Sequence, residues 1–442
     1  MADIELRNFL GMNNVNPTFS TKEGIVPKIL LNSYPNEAGQ LIKREGFELF
    51  LTLAGAHSLK AFESCMLCAA QGKLYEVSTG TAVELTTIDG PADEINGRID
   101  YVLCKDKIYI SNPYWKCVLD PTDNSVSSWG ITLPPGPMLT VTTGNLPAGT
   151  YNVCFTNVSG GFISGNGPIQ SITLSSEMGI SILNRPANAL VWATDKNEPV
   201  FYRIGATDKI VSIPTIEPLP TFLCSPPLNM ICLCYAFGRL WGADGQNLYC
   251  SEPYRLDLFN LNTNKFKFNS DITIIAKVPT GLFIGTEEET RFLAGTEPDK
   301  MVETSVGAGS VRGTLEYCNN LPYLADILGT SEKVFSDVPL WRTHEGIVAG
   351  NITGRLFNLT KDKLRLGKVS RGASLHHQLE GYFTYLTSAV AVNNGNVDIE
   401  TLTALKNSKL ATNNISRKLF DVKAACSDEM ECSVWRGGVQ IY

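Results

Sequence analysis

The sequence of 442 residues has few charged residues, and it lacks long apolar runs. Charged residues make up 18% of the chain, while hydrophobic residues make up 43%. No apolar run approaches the ~18 residues that a membrane span requires. The first residues also lack the basic and apolar regions of a signal peptide. We therefore expect a soluble protein that is not stably inserted into a membrane and that buries large surfaces between subunits.

Clusters of basic residues are absent as well. The net charge is −7, and the longest contiguous basic runs are the pairs Lys43-Arg44 and Arg417-Lys418. Proteins that hold nucleic acid neutralise phosphates with clustered Lys and Arg. We therefore expect no specific contact with DNA.

Histidine is rare, and cysteine is plentiful but scattered. Cys65 and Cys68 form a single C-x-x-C, whereas a zinc ribbon requires a second pair. The twelve cysteines are best explained as small apolar residues of a reduced protein that is assembled inside a cell. No nucleophile elbow, metalloprotease motif, phosphate-binding loop or dinucleotide fingerprint occurs. The sequence thus predicts no metal, no cofactor and no enzyme activity. The four histidines are His57, His344, His376 and His377.

Two consecutive stretches share a pattern of three short strands separated by turns. The strands of the first are Met230–Ala236, Gly238–Ala243 and Leu248–Pro253. Those of the second are Ile272–Ala276, Gly281–Gly285 and Thr290–Pro298. Such a unit cannot bury its apolar face alone, and an all-β repeat of about forty residues is typical of a propeller blade. The pattern predicts an all-β protein with a β-propeller of about six blades, although five or seven are possible.

One break in the repeat indicates an inserted domain. Ile108 and Leu240 belong to neighbouring units, but a long stretch between proline-rich junctions separates them. Its alternating strands are typical of an immunoglobulin- or fibronectin-like β-sandwich. Removing it restores a spacing of about forty residues. The predicted organisation is an N-terminal arm (1–46), first blades (47–133), the inserted sandwich (134–226), remaining blades (227–363) and a C-terminal closing or interaction segment (364–442).

The end of the chain is less regular. We interpret 315–324 as one further unit and 338–359 as another. Asp398–Leu410 has the pattern of a short helix, and Val439–Tyr442 that of a strand. Propellers often close by pairing the last strand with an early one, so we expect this end to close the ring.

Two sets of side chains require interpretation as candidate sites. Glu287, Glu288 and Glu289 lie in a turn, and they are either solvated or part of an acidic rim that faces a channel and repels DNA. Glu252 and Glu297 each precede a proline, and we interpret them as strand-terminating residues rather than a catalytic pair. Recurring aromatic residues are expected in the core between blades. These are Tyr75, Tyr109, Trp241, Phe283 and Phe357.

Several short sequence motifs, taken in order, resemble those of a known family. They are Asn36–Gly39 followed by Arg44–Gly46, Gly149–Tyr151, Gly238–Trp241 with Leu248–Pro253, Thr290–Asp299, and Gly354–Thr360. Their order and spacing resemble the nozzle proteins at the distal end of the tails of short-tailed bacteriophages. The likeness spans residues 30 to 380.

The resemblance implies a function in the virion. It implies a homo-oligomeric ring, commonly of six subunits, which is attached beneath the tail adaptor and contacts tail fibres or spikes. Such a ring extends the channel through which DNA leaves without specific binding. It is assembled in the host cytoplasm, and its propeller serves as a scaffold without catalytic duty.

Two other classes of function remain open. One is a carbohydrate-active or receptor-binding propeller whose inserted sandwich binds sugar. The other is a cellular scaffold propeller, although the repeats lack the regular Trp-Asp ending of that class.

Overall fold

The computed structural model describes residues 33–35, 40–43, 49–92, 97–318, 337–360, 369–379, 382–391, 431–436 and 439–441. This part of the chain is almost entirely strand, with a 3-10 turn at Pro298–Lys300. A short hairpin comes first, in which β1 (Ser33–Pro35) pairs with β2 (Leu41–Lys43). The two strands lie on either side of Asn36–Gly39.

Six sheets of four antiparallel strands follow, each with its strands in chain order. Blade 1 has β3 (His57–Ala61), β4 (Met66–Ala70), β5 (Lys73–Ser78) and β6 (Thr81–Thr87). Blade 2 has β7 (Asp100–Cys104), β8 (Lys107–Ser111), β9 (Lys116–Asp120) and β10 (Ser125–Ser127). The insert then follows, with β11 (Leu139–Leu146), β12 (Gly149–Ser159), β13 (Phe162–Ile163), β14 (Gln170–Leu174), β15 (Met178–Ile182), β16 (Ala189–Thr194), β17 (Phe201–Gly205) and β18 (Lys209–Ile210).

The remaining four blades come after the insert. Blade 3 has β19 (Ile231–Ala236), β20 (Arg239–Asp244), β21 (Asn247–Cys250) and β22 (Lys265–Lys267). Blade 4 has β23 (Ile272–Val278), β24 (Gly281–Thr286), β25 (Glu289–Ala294) and β26 (Val302–Ala308). Blade 5 has β27 (Glu316–Cys318), β28 (Val338–Thr343), β29 (Gly346–Gly350) and β30 (Leu356–Asn358). Blade 6 has β31 (Val369–Leu379), β32 (Tyr382–Ala391), β33 (Glu431–Arg436) and β34 (Val439–Ile441).

The first strands of the blades lie next to one another around a common axis. β7 contacts β19, β19 contacts β23, and β27 contacts β31. The first strand of each blade is therefore innermost, and the fourth strand lies at the periphery. This arrangement confirms the predicted β-propeller, and the described residues form six blades.

The core lies between neighbouring blades, because successive side chains of a strand point to opposite faces of its sheet. On β24, Leu282 packs with residues of blade 3, while Phe283 packs with residues of blade 5. On β20, Trp241 is fully buried against blade 4. Each inner strand thus contributes to two apolar layers, and no blade is stable without its neighbours.

Three of the five recurring aromatic residues occupy equivalent strands of their blades. Tyr109, Trp241 and Phe283 lie on the second strands of blades 2, 3 and 4. Tyr75 instead lies on the third strand of blade 1, and Phe357 on the fourth strand of blade 5. These two residues do not occupy the second strand because every hairpin of a blade has the same pattern of a turn followed by an alternating strand. An aromatic residue in that pattern can therefore belong to different strands of the blade.

The end of the chain differs from the prediction in two respects. The expected units 315–324 and 338–359 contribute to a single blade, since β27 pairs with β28. The segment from 364 onward supplies blade 6, and within the described strands β34 pairs with β33 of its own sheet. β34 also contacts the early strand β1, so closure of the ring by this end of the chain stays a prediction. The expected helix Asp398–Leu410 lies outside the described residues.

Two sheets form the insert. One contains β11, β15 and β18, and the other contains β13, β12, β16 and β17, with β14 also paired to β12. Tyr151, Phe155 and Val191 of the second sheet are buried against Ile180 and Ile210 of the first. The insert is therefore a β-sandwich, and its kinship with immunoglobulin or fibronectin domains stays a prediction.

The insert is fixed to blade 3 by specific contacts. Arg255 Nη2 donates a hydrogen bond to the Ile163 carbonyl at 3.0 Å. The same guanidinium lies 4.9 Å from the centroid of the Phe162 ring, a cation–π contact. Ser225 and Phe259 exchange two backbone hydrogen bonds of 2.8 and 2.9 Å. These contacts hold the sandwich against the propeller.

Two substitutions of aromatic residues test which of them lie in the core between blades. We expect Phe283→Ala to lower the free energy of unfolding by about 3–5 kcal/mol, because it opens a cavity between blades 4 and 5. Phe357→Ala, the same change at a half-buried site, should cost less than half as much. Urea denaturation followed by tryptophan fluorescence measures both values. Equal losses would contradict the assignment.

Candidate functional site

The predicted acidic turn joins β24 and β25 of blade 4. Glu287 and Glu288 are exposed. Glu289 instead accepts hydrogen bonds from Arg291 Nε at 2.7 Å and from Ser305 Oγ at 2.8 Å. The bond from Arg291, together with that from Ser305, lowers the pKa of Glu289. The turn therefore presents two solvated carboxylates, and whether it faces a channel stays a prediction.

The histidines whose side chains are described lie apart from one another. His57 is a buried residue at the start of β3, and its Nδ1 lies 2.9 Å from Ser58 Oγ. His344 lies in the turn between β28 and β29, where Nε2 donates to the Glu287 carbonyl at 3.1 Å. His376 and His377 lie within β31. Within the described ranges, no group of three or more His, Cys, Asp or Glu is arranged to hold a metal ion.

The C-x-x-C motif and the two glutamates that precede a proline have structural explanations. Cys65 and Cys68 are both free thiols, and burial raises the pKa of Cys68 to about 11. A thiol with so high a pKa is a poor nucleophile at neutral pH. Glu252 accepts a hydrogen bond from Asn264 Nδ2 at 2.9 Å, and Glu297 forms an ion pair with Lys300. Both carboxylates stabilise local turns.

A cluster of charged residues crosses the propeller axis where the innermost strands begin. Asp100 Oδ2 accepts a hydrogen bond from the Cys232 backbone N–H at 3.0 Å, which joins blades 2 and 3. The same oxygen lies 3.2 Å from Arg312 Nη2, on the segment that leads into blade 5. Arg98 Nη1 donates to the Gly372 carbonyl of blade 6 at 2.9 Å. We call Arg98, Asp100 and Arg312 the axial cluster.

Backbone contacts complete the axial cluster. The Gly372 N–H donates to the Arg312 carbonyl at 2.9 Å, and Arg312 forms a parallel bridge with Arg371. On the other side, the Ile99 N–H donates to Ser58 Oγ of blade 1 at 2.9 Å. Blades 1, 2, 3, 5 and 6 are thereby linked at one end of the axis. The sequence gives no signal for these contacts, because they join residues far apart in the chain.

A second ion pair spans the axis further along. Lys60 Nζ of blade 1 lies 3.7 Å from Glu316 Oε1 of blade 5, although blade 6 lies between these blades in the ring. Burial raises the pKa of Glu316, and the Lys60 ammonium opposes that shift only in part. The interior of the propeller is therefore crossed by side chains in two layers.

An open pocket of about 390 Å³ lies at the opposite end of the axis, where the innermost strands of blades 3, 4 and 5 end. Its described lining combines aromatic rings with one cation and one anion. We call it the axial pocket. Its lining residues are Tyr235, Ala236, Phe237, Lys277, Val278, Pro279, Tyr317 and Asp337. No local sequence pattern marks these residues as a site, because they come from three blades.

Comparisons with known proteins bear on the fold only. No family model matches the sequence, and no curated protein matches it. Among solved structures, the N-terminal domain of Nup159 is 8% identical, with a TM-score of 0.30 over 80% of this chain and 76% of that one. The AfRom2 CNH domain is 8% identical, with a TM-score of 0.26 over 77% and 95%. Hsv2p of Kluyveromyces lactis is 6% identical, with a TM-score of 0.26 over 76% and 92%.

The class of fold is defined by the six four-stranded sheets of the described residues, which form a six-bladed β-propeller with an inserted β-sandwich. In the described part of the chain, no helix has the length and apolar character needed to cross a membrane.

The axial cluster predicts a stability effect. Asp100→Asn keeps the shape of the side chain but removes the charge that faces Arg312, so we expect a loss of about 1–3 kcal/mol of unfolding free energy. Asp106→Asn, in an exposed turn of the same blade, should change it by less than about 0.5 kcal/mol. Chemical denaturation measures both variants. A neutral Asp100→Asn would show that the cluster contributes nothing to stability.

The second ion pair predicts a pH dependence. Because the pKa of Glu316 is raised above its ordinary value of 4.5, the folded protein binds this proton more tightly than the unfolded chain. Its contribution to stability therefore falls as pH rises from the ordinary pKa through the raised one. Glu316→Gln should gain stability relative to the wild type as pH rises through this window. Denaturation curves at several pH values measure this difference.

The control is Glu84→Gln, which removes an exposed carboxylate 2.7 Å from Lys73. Its stability difference from the wild type should change little over the same range, because exposed ion pairs contribute little. A parallel response of the two variants would refute a special role for Glu316.

Proposed function

We propose that this protein is a structural, non-enzymatic component of the virion, which forms the distal nozzle ring of a short-tailed phage tail. The proposal depends on the ordered set of short sequence motifs, named above, that resemble those of that family. In the structure, Gly238–Trp241 forms the turn and start of β20, and Gly149–Tyr151 begins β12. These two motifs therefore lie at hairpins of the propeller and of the insert.

The proposed path of DNA is supported by the charge of the chain and by the side chains that cross the propeller axis. The propeller's own axis is crossed by the Asp100–Arg312 and Lys60–Glu316 pairs, so it is not an open conduit. In the proposed assembly, DNA passes along the axis of a ring of subunits. The net charge of −7 and the exposed Glu287 suit passage without specific binding, because like charges repel.

A ring needs surfaces for other subunits. Met138 and Leu183 are 59% and 63% exposed, and they are adjacent, since the Leu183 N–H donates to the Met138 carbonyl at 3.0 Å. Adjacent exposed apolar side chains are typical of contact surfaces. In the proposed virion, six copies form the ring, which contacts the tail adaptor and the fibres or spikes after assembly in the host cytoplasm.

Electron microscopy of the purified full chain tests the proposal. We expect closed rings with a central hole and six-fold symmetry, because a nozzle must surround the ejected DNA. Leu183→Glu should shift the population toward smaller species, since it places a charge on the exposed apolar pair, whereas Lys267→Glu on the exposed outer strand of blade 3 should not. A monomer in every buffer, and in the virion, would contradict the proposal.

The axial pocket favours a second candidate, the receptor-binding propeller. That candidate predicts binding to sugars of the host envelope, and a carbohydrate-active form predicts their depolymerisation. The nozzle proposal predicts no turnover of such sugars. A depolymerase assay on purified envelope polysaccharide separates the two functions.

A further inference from the structure

The axial pocket has mixed chemistry at a place where several strands converge. Tyr235 comes from blade 3, Lys277 from blade 4, and Tyr317 with Asp337 from blade 5. Its volume of about 390 Å³ lies at the small end of the range of ligand sites. Sites of this kind combine apolar walls with a few polar groups that fix the orientation of the ligand. Size and lining therefore suit a small ligand with both apolar and polar surfaces.

Phe237 lines the pocket in a backbone conformation that is unfavourable for it. It has a φ of 55° in the turn between β19 and β20, and Gly238 follows with a φ of 71°. Hairpin turns of this kind favour Asn-Gly, because a bulky side chain is strained in the left-handed region. Strain of this sort accumulates at functional sites. The Phe237 ring both packs on the core between blades 3 and 4 and lines the pocket, so the contacts of the ring, rather than the turn, account for phenylalanine here.

A second aromatic residue with a left-handed backbone lies beside it. Tyr254 has a φ of 58°, is 70% exposed, and donates its backbone N–H to the Gly238 carbonyl at 2.8 Å. Lys105 Nζ lies 5.6 Å from the centroid of the Tyr254 ring. The surface next to the pocket thus presents another ring and another cation.

The charged groups of the pocket are available to a ligand. Lys277 and Asp337 are exposed, and neither forms an ion pair with another described residue. The Tyr317 hydroxyl is already fixed, since it accepts a hydrogen bond from the Lys277 backbone N–H at 2.8 Å. This bond holds the Tyr317 ring against the pocket. One cation and one anion therefore flank rings whose positions are set by the fold.

We propose that this pocket binds an acidic sugar, meaning a pyranose that carries a carboxylate. A sugar ring has an apolar C–H face that packs on Phe237 and the tyrosines, and a polar edge of hydroxyl groups. Lys277 pairs with the carboxylate, and Asp337 accepts hydrogen bonds from hydroxyls. The assignment rests on the pocket alone, and it holds whether or not the chain is a tail protein.

Binding to the full-length protein tests the assignment, with glucuronate, glucose and a tetrasaccharide of galacturonic acid as probes. Saturation-transfer NMR detects contact, and calorimetry gives Kd. We expect glucuronate to bind about tenfold more tightly than glucose, because only glucuronate pairs with Lys277. Tighter binding of the tetrasaccharide would identify a glycan chain as the source of the sugar, and equal binding would identify a free sugar. No saturable binding of either acidic probe would overturn the proposal.

Phe237→Asn separates binding from folding. Asn relieves the strain of the left-handed turn but loses the packing of the Phe237 ring on the core between blades 3 and 4, so the protein should stay folded with a modestly lower melting temperature, while the Kd for glucuronate should rise about tenfold. Lys277→Gln should abolish the preference for glucuronate over glucose, and Lys267→Gln on the outer strand of blade 3 should preserve it. Wild-type affinity in Phe237→Asn, or a retained preference in Lys277→Gln, would contradict the site.

Discussion

The carboxylate of Asp100 imposes the constraint on which the ring depends. A propeller is a chain of sheets, and its first and last sheets must be held in place. In this protein, the last described strand pairs within its own sheet and contacts the early strand β1. Asp100 bonds to Cys232 and Arg312, and Arg98 bonds to Gly372, so contacts across the axis also join early and late blades. Such partly buried charge pairs stabilise a structure only when their hydrogen bonds are satisfied.

Sequence patterns predicted the parts of the fold that are local. The hairpins of blades 3 and 4 were predictable because their inner strands alternate apolar residues between Gly- and Asp-containing turns. The outer strand Lys265–Lys267 was missed, because it is short, polar and exposed on one edge. Blade 5 was divided wrongly because a long segment separates β27 from β28, and sequence spacing does not reveal which strands pair across it.

The candidate sites were less predictable, because they depend on residues brought together by the closed ring. The turn at Glu287–Glu289 was identified, but the neutralising role of Arg291 requires knowledge of strand register. The axial cluster joins Asp100 and Arg312, which are 212 positions apart, and the axial pocket joins residues of three separate blades. Nothing in the local sequence distinguishes Asp100 or Tyr317 from other strand residues. The unfavourable backbone of Phe237 is likewise visible only in three dimensions.

These features together describe a propeller whose two ends differ. One end of the axis is closed by charged side chains, and the other presents an aromatic pocket. Native-state hydrogen exchange of the Cys232 and Gly372 amides tests the closure most directly, because these N–H groups bond to Asp100 and Arg312. If the axial cluster closes the ring, both amides should exchange only through global unfolding, with the same free energy as core amides of β20 and β24. Exchange of Gly372 at a much lower free energy, with the β20 and β24 amides still protected, would show that blade 6 opens independently and would contradict this account.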